Sequence, residues 1–405
     1  MMPKFVENVL ILQGGGSLGA FGCGVFKSLA ENNINLEVVA GTSIGGVNAA
    51  IIAVYNEQRY DSAQTALEQF WFEIADNSFV NLFDSYSKVM TGADQNLASQ
   101  TIYHGSRKII DDPIARTDES NISMQSFFAN VFYGNRKIFV PRWNAEYMLQ
   151  DPQYFFPLNW TYLYDHKPLA KTLEKYIDYK KLRPPEKNDS TKMRLILTAV
   201  NVLTATPLVF DSYKQEITAE HLLATSAYPL YNLPWVELKG GVYAWDGSLL
   251  SNTPLREVID ASPINDKRVI IVENYPKNID NLPLNLSEVY HRARDIIFSD
   301  KTLHNVKMSK VITNYIKYIE ELYQIIESYT DINKIDKQKM QRIRNKYKKI
   351  KKERGAEIKS INYITRDEPF PHIYENADFS LKTIKDSINE GEIKTKNLLR
   401  SVVMK

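Results

Sequence analysis

Apolar positions near the start of the chain fall into two short continuous runs. Each is followed by glycines and then by a longer apolar stretch with helical spacing. Val9-Leu10-Ile11-Leu12 is the first run, leading through Gln13-Gly14-Gly15-Gly16-Ser17-Leu18-Gly19 into a helix-like stretch from Ala20 to Ala30. Val38-Val39-Ala40 is the second, leading through Gly41-Thr42-Ser43-Ile44-Gly45 into a strongly apolar helix that reaches Val54. Short continuous apolar runs bounded by turn residues read as buried strands. A right-handed crossover puts two such parallel strands in one sheet, with both glycine turns at the same edge.

Further along, Ser62 to Ile74 has helical spacing, and a short helix is expected from Leu169 to Tyr179, before Pro184-Pro185. Met193 to Asn201 reads as a buried strand with Pro207 to Asp211 as its hairpin partner, and Ala219 to Ala227 as a helix. Lys239 to Trp245 leads a strand into Asp246, and Lys267 to Asn274 is a further parallel strand. Between Phe79 and Tyr164 the periodicity breaks into aromatic-rich sequence containing Phe79, Phe83, Tyr86, Phe127, Phe128, Phe132, Tyr133, Trp143, Phe155, Phe156 and Trp160. Two readings stay open for it: a loop-rich subdomain packed on the sheet edge, or a cap lining an apolar channel, whose amphipathic Trp and Tyr also suit a membrane interface.

The last third changes character. Ile312, Tyr315, Ile316, Ile319, Leu322, Tyr323 and Ile326 form one helical stripe; after Thr330-Asp331-Ile332-Asn333 a second helix carries Met340, Ile343, Tyr347 and Ile350. Its other face is crowded with Lys337, Lys339, Arg342, Arg344, Lys346, Lys348, Lys349, Lys351, Lys352 and Arg354. That face reads as a solvated helical surface, a patch for anionic lipid headgroups, or a nucleic-acid surface. The expected fold is therefore α/β: a central mostly parallel sheet flanked by helices, with a cap insertion and a C-terminal helical hairpin. The expected division is a main domain over 1–300 with the insertion at 79–164, the basic hairpin over 301–355, and a C-terminal extension over 356–405.

The chemistry concentrates at the two glycine turns. Gly41-Thr42-Ser43-Ile44-Gly45 has the G-x-S-x-G spacing that lets a chain turn sharply from strand to helix and hold a serine exposed. The bland alternative is a tight turn with a capping serine. Three successive glycines, Gly14, Gly15 and Gly16, leave backbone amides uncovered, and beside a serine nucleophile they can face the oxyanion of an acyl intermediate. Gly14, Gly16 and Gly19 also satisfy a dinucleotide-binding spacing. Against that reading, the second strand ends in Gly41-Thr42-Ser43 where an acidic residue would hold the ribose.

With these motifs the chain resembles the patatin-like phospholipases. The glycine loop Gly14 to Gly19, the turn Gly41 to Gly45 and Trp245-Asp246-Gly247-Ser248 match that family's blocks in order, over about Val9 to Ile259. Thr198 to Phe210 and Ala224 to Pro229 look like its connecting segments. Tyr290-His-Arg-Ala-Arg-Asp-Ile and Asp378-Phe-Ser are similar to a bacterial subgroup with an extra C-terminal region. The resemblance implies a Ser43–Asp246 dyad, an oxyanion hole from Gly14, Gly15 and Gly16, and lipid acyl hydrolysis through an acyl-enzyme; no cofactor is expected, and no metal, since no spacing of His, Cys and acidic residues resembles a metal site. Two positions depart from the pattern: Leu18 stands where many members carry Lys or Arg, and Ser248 replaces a smaller residue.

Other readings remain. His291, His304 or His372 could complete a histidine triad in Ser, Asp, His order, although Ser43 follows only the second strand. The dyad could serve short soluble esters or thioesters, or the chain could be a catalytically silent scaffold that binds a membrane or partner. With 405 residues, 44% hydrophobic and 24% charged, the chain can bury a large core, and its net charge of +2 gives no overall nucleic-acid signature. The lone Cys23 fits a reducing compartment. Without a signal-peptide pattern or a membrane-length apolar run, the expectation is a cytoplasmic protein, free or peripherally bound to membrane through the basic hairpin.

Overall fold

The computed structural model describes residues 5–75, 126, 129–186, 192–279, 281–329, 337–354, 356–368 and 375–403. In chain order the strands are β1 (Val6–Leu12), β2 (Val38–Gly41), β3 (Val140–Pro141), β4 (Tyr164–Asp165), β5 (Arg194–Asn201), β6 (Pro207–Asp211), β7 (Val236–Leu238), β8 (Val242–Asp246), β9 (Asp266–Glu273) and β10 (Ile358–Thr365). The helices are α1 (Ala20–Glu31), α2 (Ile44–Ala53), α3 (Ala63–Ile74), α4 (Ala145–Gln150), α5 (Lys167–Leu173), α6 (Ala219–Ser226), α7 (Leu255–Ala261), α8 (Leu286–Tyr329), α9 (Lys337–Arg354) and α10 (Leu381–Val403).

The main sheet runs β10-β9-β1-β2-β5-β8-β7, with β6 also on β5. From β10 to β5 neighbouring strands are parallel; β6, β8 and β7 join antiparallel. Both faces are covered, which is why Val9 to Leu12 of β1 reads as an unbroken apolar run. Leu10 and Leu12 pack with Phe21, Val47, Phe70 and Trp71 on one side. Val9 and Ile11 pack with Leu255, Val258 and Val306 on the other. Burying each such large side chain contributes about 1.5–3 kcal/mol.

Register fixes where the glycine turns lie. Leu12 pairs with both Gly41 and Val272, so β1, β2 and β9 end together and their following loops share one sheet edge. Because β8 runs the opposite way, it ends with Asp246 opposite Ala199, close to the Leu197–Gly41 pair. A carboxylate from an antiparallel strand is thereby delivered to the edge where the parallel strands end.

The C-terminal residues do more than extend the chain. β10 forms an edge of the main sheet, and α10 lies along α1 at very close range. A Cβ on Gly24 would come 1.8 Å from the Ile388 carbonyl oxygen, and one on Gly391 would come 2.3 Å from that of Phe21. The first hairpin arm begins at Leu286 and runs through the expected boundary at residue 300. Between the arms, Tyr323 and Tyr347 stack at 4.2 Å. The expected stripe on this arm is only partly covered: Ile316 is buried, whereas Tyr315, Leu322 and Ile326 are exposed.

Of the expected cap, Phe79, Phe83, Tyr86, Phe127 and Phe128 lie outside the described residues. In the part described, buried Arg142 stacks over Trp160 and Tyr162 at 4.9 and 4.6 Å and bonds Asp151, whereas Phe132, Tyr133, Phe155 and Phe156 are exposed. Among the described residues no helix is long and apolar enough to cross a membrane.

Candidate active site

Ser43 sits between β2 and α2 with φ 57° and ψ −133°, a conformation that costs a non-glycine residue roughly 1–3 kcal/mol. The turn tolerates no bulk on either side: a Cβ on Gly41 would meet the Gly45 carbonyl at 2.2 Å, and one on Gly45 would meet that of Leu12 at 2.3 Å. The Ser43 side chain makes no capping hydrogen bond to α2, so the capping-serine reading does not hold. Its own amide donates to Thr225 Oγ1 at 3.1 Å, and Thr225 Oγ1 donates to the Thr198 carbonyl at 2.6 Å. Thr42 Oγ1 donates to the Ser251 carbonyl at 3.0 Å and shares a 2.7 Å hydrogen bond with Thr198 Oγ1. Three threonines thus strap the turn to β5 and α6.

Asp246 is fully buried at the end of β8. Its Oδ1 accepts from the Ser248 amide at 2.7 Å, while Oδ2 has no hydrogen-bond partner among the described residues. Burial pushes its pKa up to about 6, against the smaller downward pull of the Ser248 amide and the Ser43 and Ser248 hydroxyls. A carboxylate in that state is a stronger base than a solvated one.

The glycine loop lies against the serine, for a Cβ on Gly14 would meet Ser43 Cβ at 2.8 Å. The Gly14 amide donates to Asn252 Oδ1 at 3.0 Å, so it is already engaged. Gly15 and Gly16 are partly exposed, and their amides have no partner among the described residues. Asn252 Oδ1 also accepts from Ser248 Oγ at 3.2 Å, so the Ser248 departure links the Asp246 turn to the loop. Leu18, the other departure, is buried with Tyr275 and Phe298, an apolar setting in place of a cation's.

The three sequence motifs therefore meet at one edge. Histidine does not join them among the described side chains: His291 Nε2 is held by Glu375 at 3.0 Å and Nδ1 faces Asp295 at 3.1 Å. His372 lies outside the described residues, as does the side chain of His304. Thr198, Thr225, Asn252, Asn274 and Asn376 escape sequence reasoning as site residues. They come from five separate segments: Thr198 and Thr225 lie in stretches that resemble the family's connecting segments, with nothing marking either residue as part of the site, and Asn252, Asn274 and Asn376 carry no local motif at all.

Such a geometry defines a class: α/β proteins that present a serine on a strand-to-helix turn near a buried acid. The chain belongs to the patatin-like phospholipase family, whose profile matches residues 10–259. It is 32% identical over 86 residues, 21% of this chain, to triacylglycerol lipase SDP1L of Arabidopsis thaliana, and 30% identical over 108 residues, 25% of this chain, to the patatin-like phospholipase domain-containing protein ZK370.4 of Caenorhabditis elegans. The matches span only 10% and 8% of those relatives' lengths. Among solved structures, VipD from Legionella pneumophila aligns at 16% identity and TM-score 0.38, covering 98% of this chain and 67% of that one. ExoU, solved with SpcU from Pseudomonas aeruginosa, aligns at 14% identity and TM-score 0.25, covering 74% and 51%.

Proposed function

We propose that this protein is a lipid acyl hydrolase working through a Ser43–Asp246 dyad. The observation that carries the reading is the unpartnered, fully buried Oδ2 of Asp246, with the hydroxyl of a strained, half-buried serine among the groups that act on it. Family membership and the lipase name of one relative support fatty-acyl ester lipids as the substrate class.

Ser43 Oγ attacks the ester carbonyl while Asp246 takes its proton. The tetrahedral oxyanion is met by the amides of Gly15 and Gly16; the Gly14 amide, expected as a third donor, is held by Asn252 and serves to fix the loop. Collapse breaks the ester C–O bond, and Asp246 returns the proton to the departing alcohol. Water, deprotonated by Asp246, then attacks the acyl-enzyme, and the fatty acid leaves as Ser43 recovers its proton.

Peripheral contact with anionic lipid through α9 belongs to the same proposal. Arg344 and Lys351 are tied to Glu327 and Glu320 of α8, while Arg342, Lys346, Lys348 and Lys352 are exposed.

The test is fatty-acid release from phospholipid and triacylglycerol vesicles by the wild type, Ser43→Ala and Asp246→Asn, beside a micellar short-chain ester. Release confined to the wild type and favouring vesicles supports the reading. Serine-dependent turnover of the short ester alone would assign a soluble esterase instead.

A further inference from the structure

The family match ends at residue 259, yet residues far beyond it touch the glycine loop. Asn376 Nδ2 donates at 2.9 Å to the Gly15 carbonyl and at 2.9 Å to the Tyr275 hydroxyl. The Ser17 hydroxyl donates to the Glu375 carbonyl, and a Cβ on Gly16 would lie 2.2 Å from the Asn376 carbonyl oxygen, so the two backbones are in direct contact. Asn376 cannot be turned around without losing bonds. The Gly15 carbonyl only accepts, and Arg294, whose Nη1 donates to Asn376 Oδ1, only donates.

These bonds matter because a peptide group is planar and trans. The Gly15 carbonyl and the Gly16 amide belong to one plane and point in opposite directions. Holding the carbonyl therefore aims the amide. Asn274 does the same for the preceding plane: its Nδ2 donates to the Gln13 carbonyl at 3.0 Å and the Gly14 carbonyl at 3.2 Å, and the Gly14 carbonyl shares its plane with the Gly15 amide. Successive glycines offer little resistance to rotation of these planes, so their direction must come from outside the loop.

Asn376 is itself anchored. Glu375, its neighbour, accepts from His291 Nε2 at 3.0 Å and Arg366 Nη2 at 3.0 Å, and Arg366 Nε donates to the Asn274 carbonyl at 3.1 Å. His291, Asp295, Arg366 and Glu375 are all buried. Ligand-type atoms of His291, Asp295 and Glu368 lie within 4.8 Å of one another, but Arg294 and Arg366 already neutralise the carboxylates there, so the cluster fits an ion-pair lock better than a divalent cation.

We infer that Asn376 is a positioning residue of the catalytic centre: together with Asn274 it fixes the glycine-loop peptide planes whose amides face the oxyanion, making the C-terminal segment part of the active site. This rests on the dyad reading above.

Asn376→Asp in the full chain is the discriminating variant. It keeps the size and the Arg294 partner but replaces the donor to Gly15 with an acceptor. The expected result is a fall in kcat of about 10- to 100-fold, short of the roughly 10²- to 10³-fold that outright loss of an oxyanion donor costs, with KM within about twofold. The Ki of a trifluoromethyl ketone that forms a tetrahedral oxyanion should rise by the same factor. An Asn376→Asp protein with wild-type kcat and Ki would overturn the inference. Should the wild type show no Ser43-dependent turnover, the dyad reading fails instead, and a crystal structure of Asn376→Asp still decides the clamp: a turned Gly15–Gly16 peptide supports it and an unmoved one overturns it.

Discussion

Asp246 is buried with one oxygen unpartnered, and this has two measurable consequences. As the base of the proposed dyad it must be ionised, so with a pKa of about 6 the profile of kcat/KM should rise tenfold per pH unit up to that region and level off above it. The same elevation lowers stability. Between 3.8 and about 6 the folded state binds the proton that the unfolded state has released, so this group's contribution to stability falls as pH rises through that window and stays low above it. Asp246→Asn should then abolish hydrolysis while raising stability at pH 7, by up to about 3 kcal/mol on a conversion of 1.36 kcal/mol per pKa unit. Thermal unfolding at pH 4 and pH 7 checks the sign, because the gain should shrink at the lower pH.

The strand-to-helix turn depends on its straps as much as on its glycines. Thr225→Val removes the acceptor for the Ser43 amide and the donor to the Thr198 carbonyl, at a cost of about 1–3 kcal/mol for each buried group left unpaired. Loss of stability accompanied by a fall in kcat is the expected outcome of urea melts and steady-state kinetics. A further prediction concerns α1 and α10: Gly391→Val drives side-chain atoms into the Phe21 carbonyl and should cost about 1–3 kcal/mol or more.

What could be read from sequence follows from the range of the signal. Both glycine turns and Asp246 carry local signatures: an apolar run, a glycine that nothing else could replace, and a fixed spacing. β10 carries none, because Ile358 to Thr365 mixes Lys, Ser, Asn and Tyr, and its strand is created by pairing with β9. Asn376 was equally silent, since a single asparagine acquires its role only when β10 and α10 bring it back to Gly15. For Gly14, sequence could supply an uncovered amide but could not foresee Asn252 as its partner.

Taken whole, the molecule joins its C-terminal region to the sheet edge that carries Ser43 and Asp246 through buried charge. Burial opposes protonation of His291, but the Asp295 and Glu375 carboxylates prevail and raise its pKa to about 9. Its stabilising contribution is therefore fully present below about 6.5 and lost as pH rises through about 9, with Arg294, Arg366 and Glu368 as the other charged groups around it. Chemical denaturation at pH 7 and pH 10 should show that loss in the wild type and less of it in His291→Gln. On the outer surface, reversing Arg342, Lys346, Lys348 and Lys352 to Glu should weaken binding to anionic vesicles by roughly fivefold per charge at low salt, with little effect on neutral vesicles in a sedimentation assay.

The most direct test of the whole account is labelling of the full chain by a fluorophosphonate probe, with and without anionic vesicles. An activated Ser43 predicts a covalent adduct located by mass spectrometry on Ser43, lost in Ser43→Ala, strongly slowed in Asp246→Asn, and formed faster with vesicles present. No adduct under any of these conditions, or labelling that survives in Ser43→Ala, would contradict the dyad.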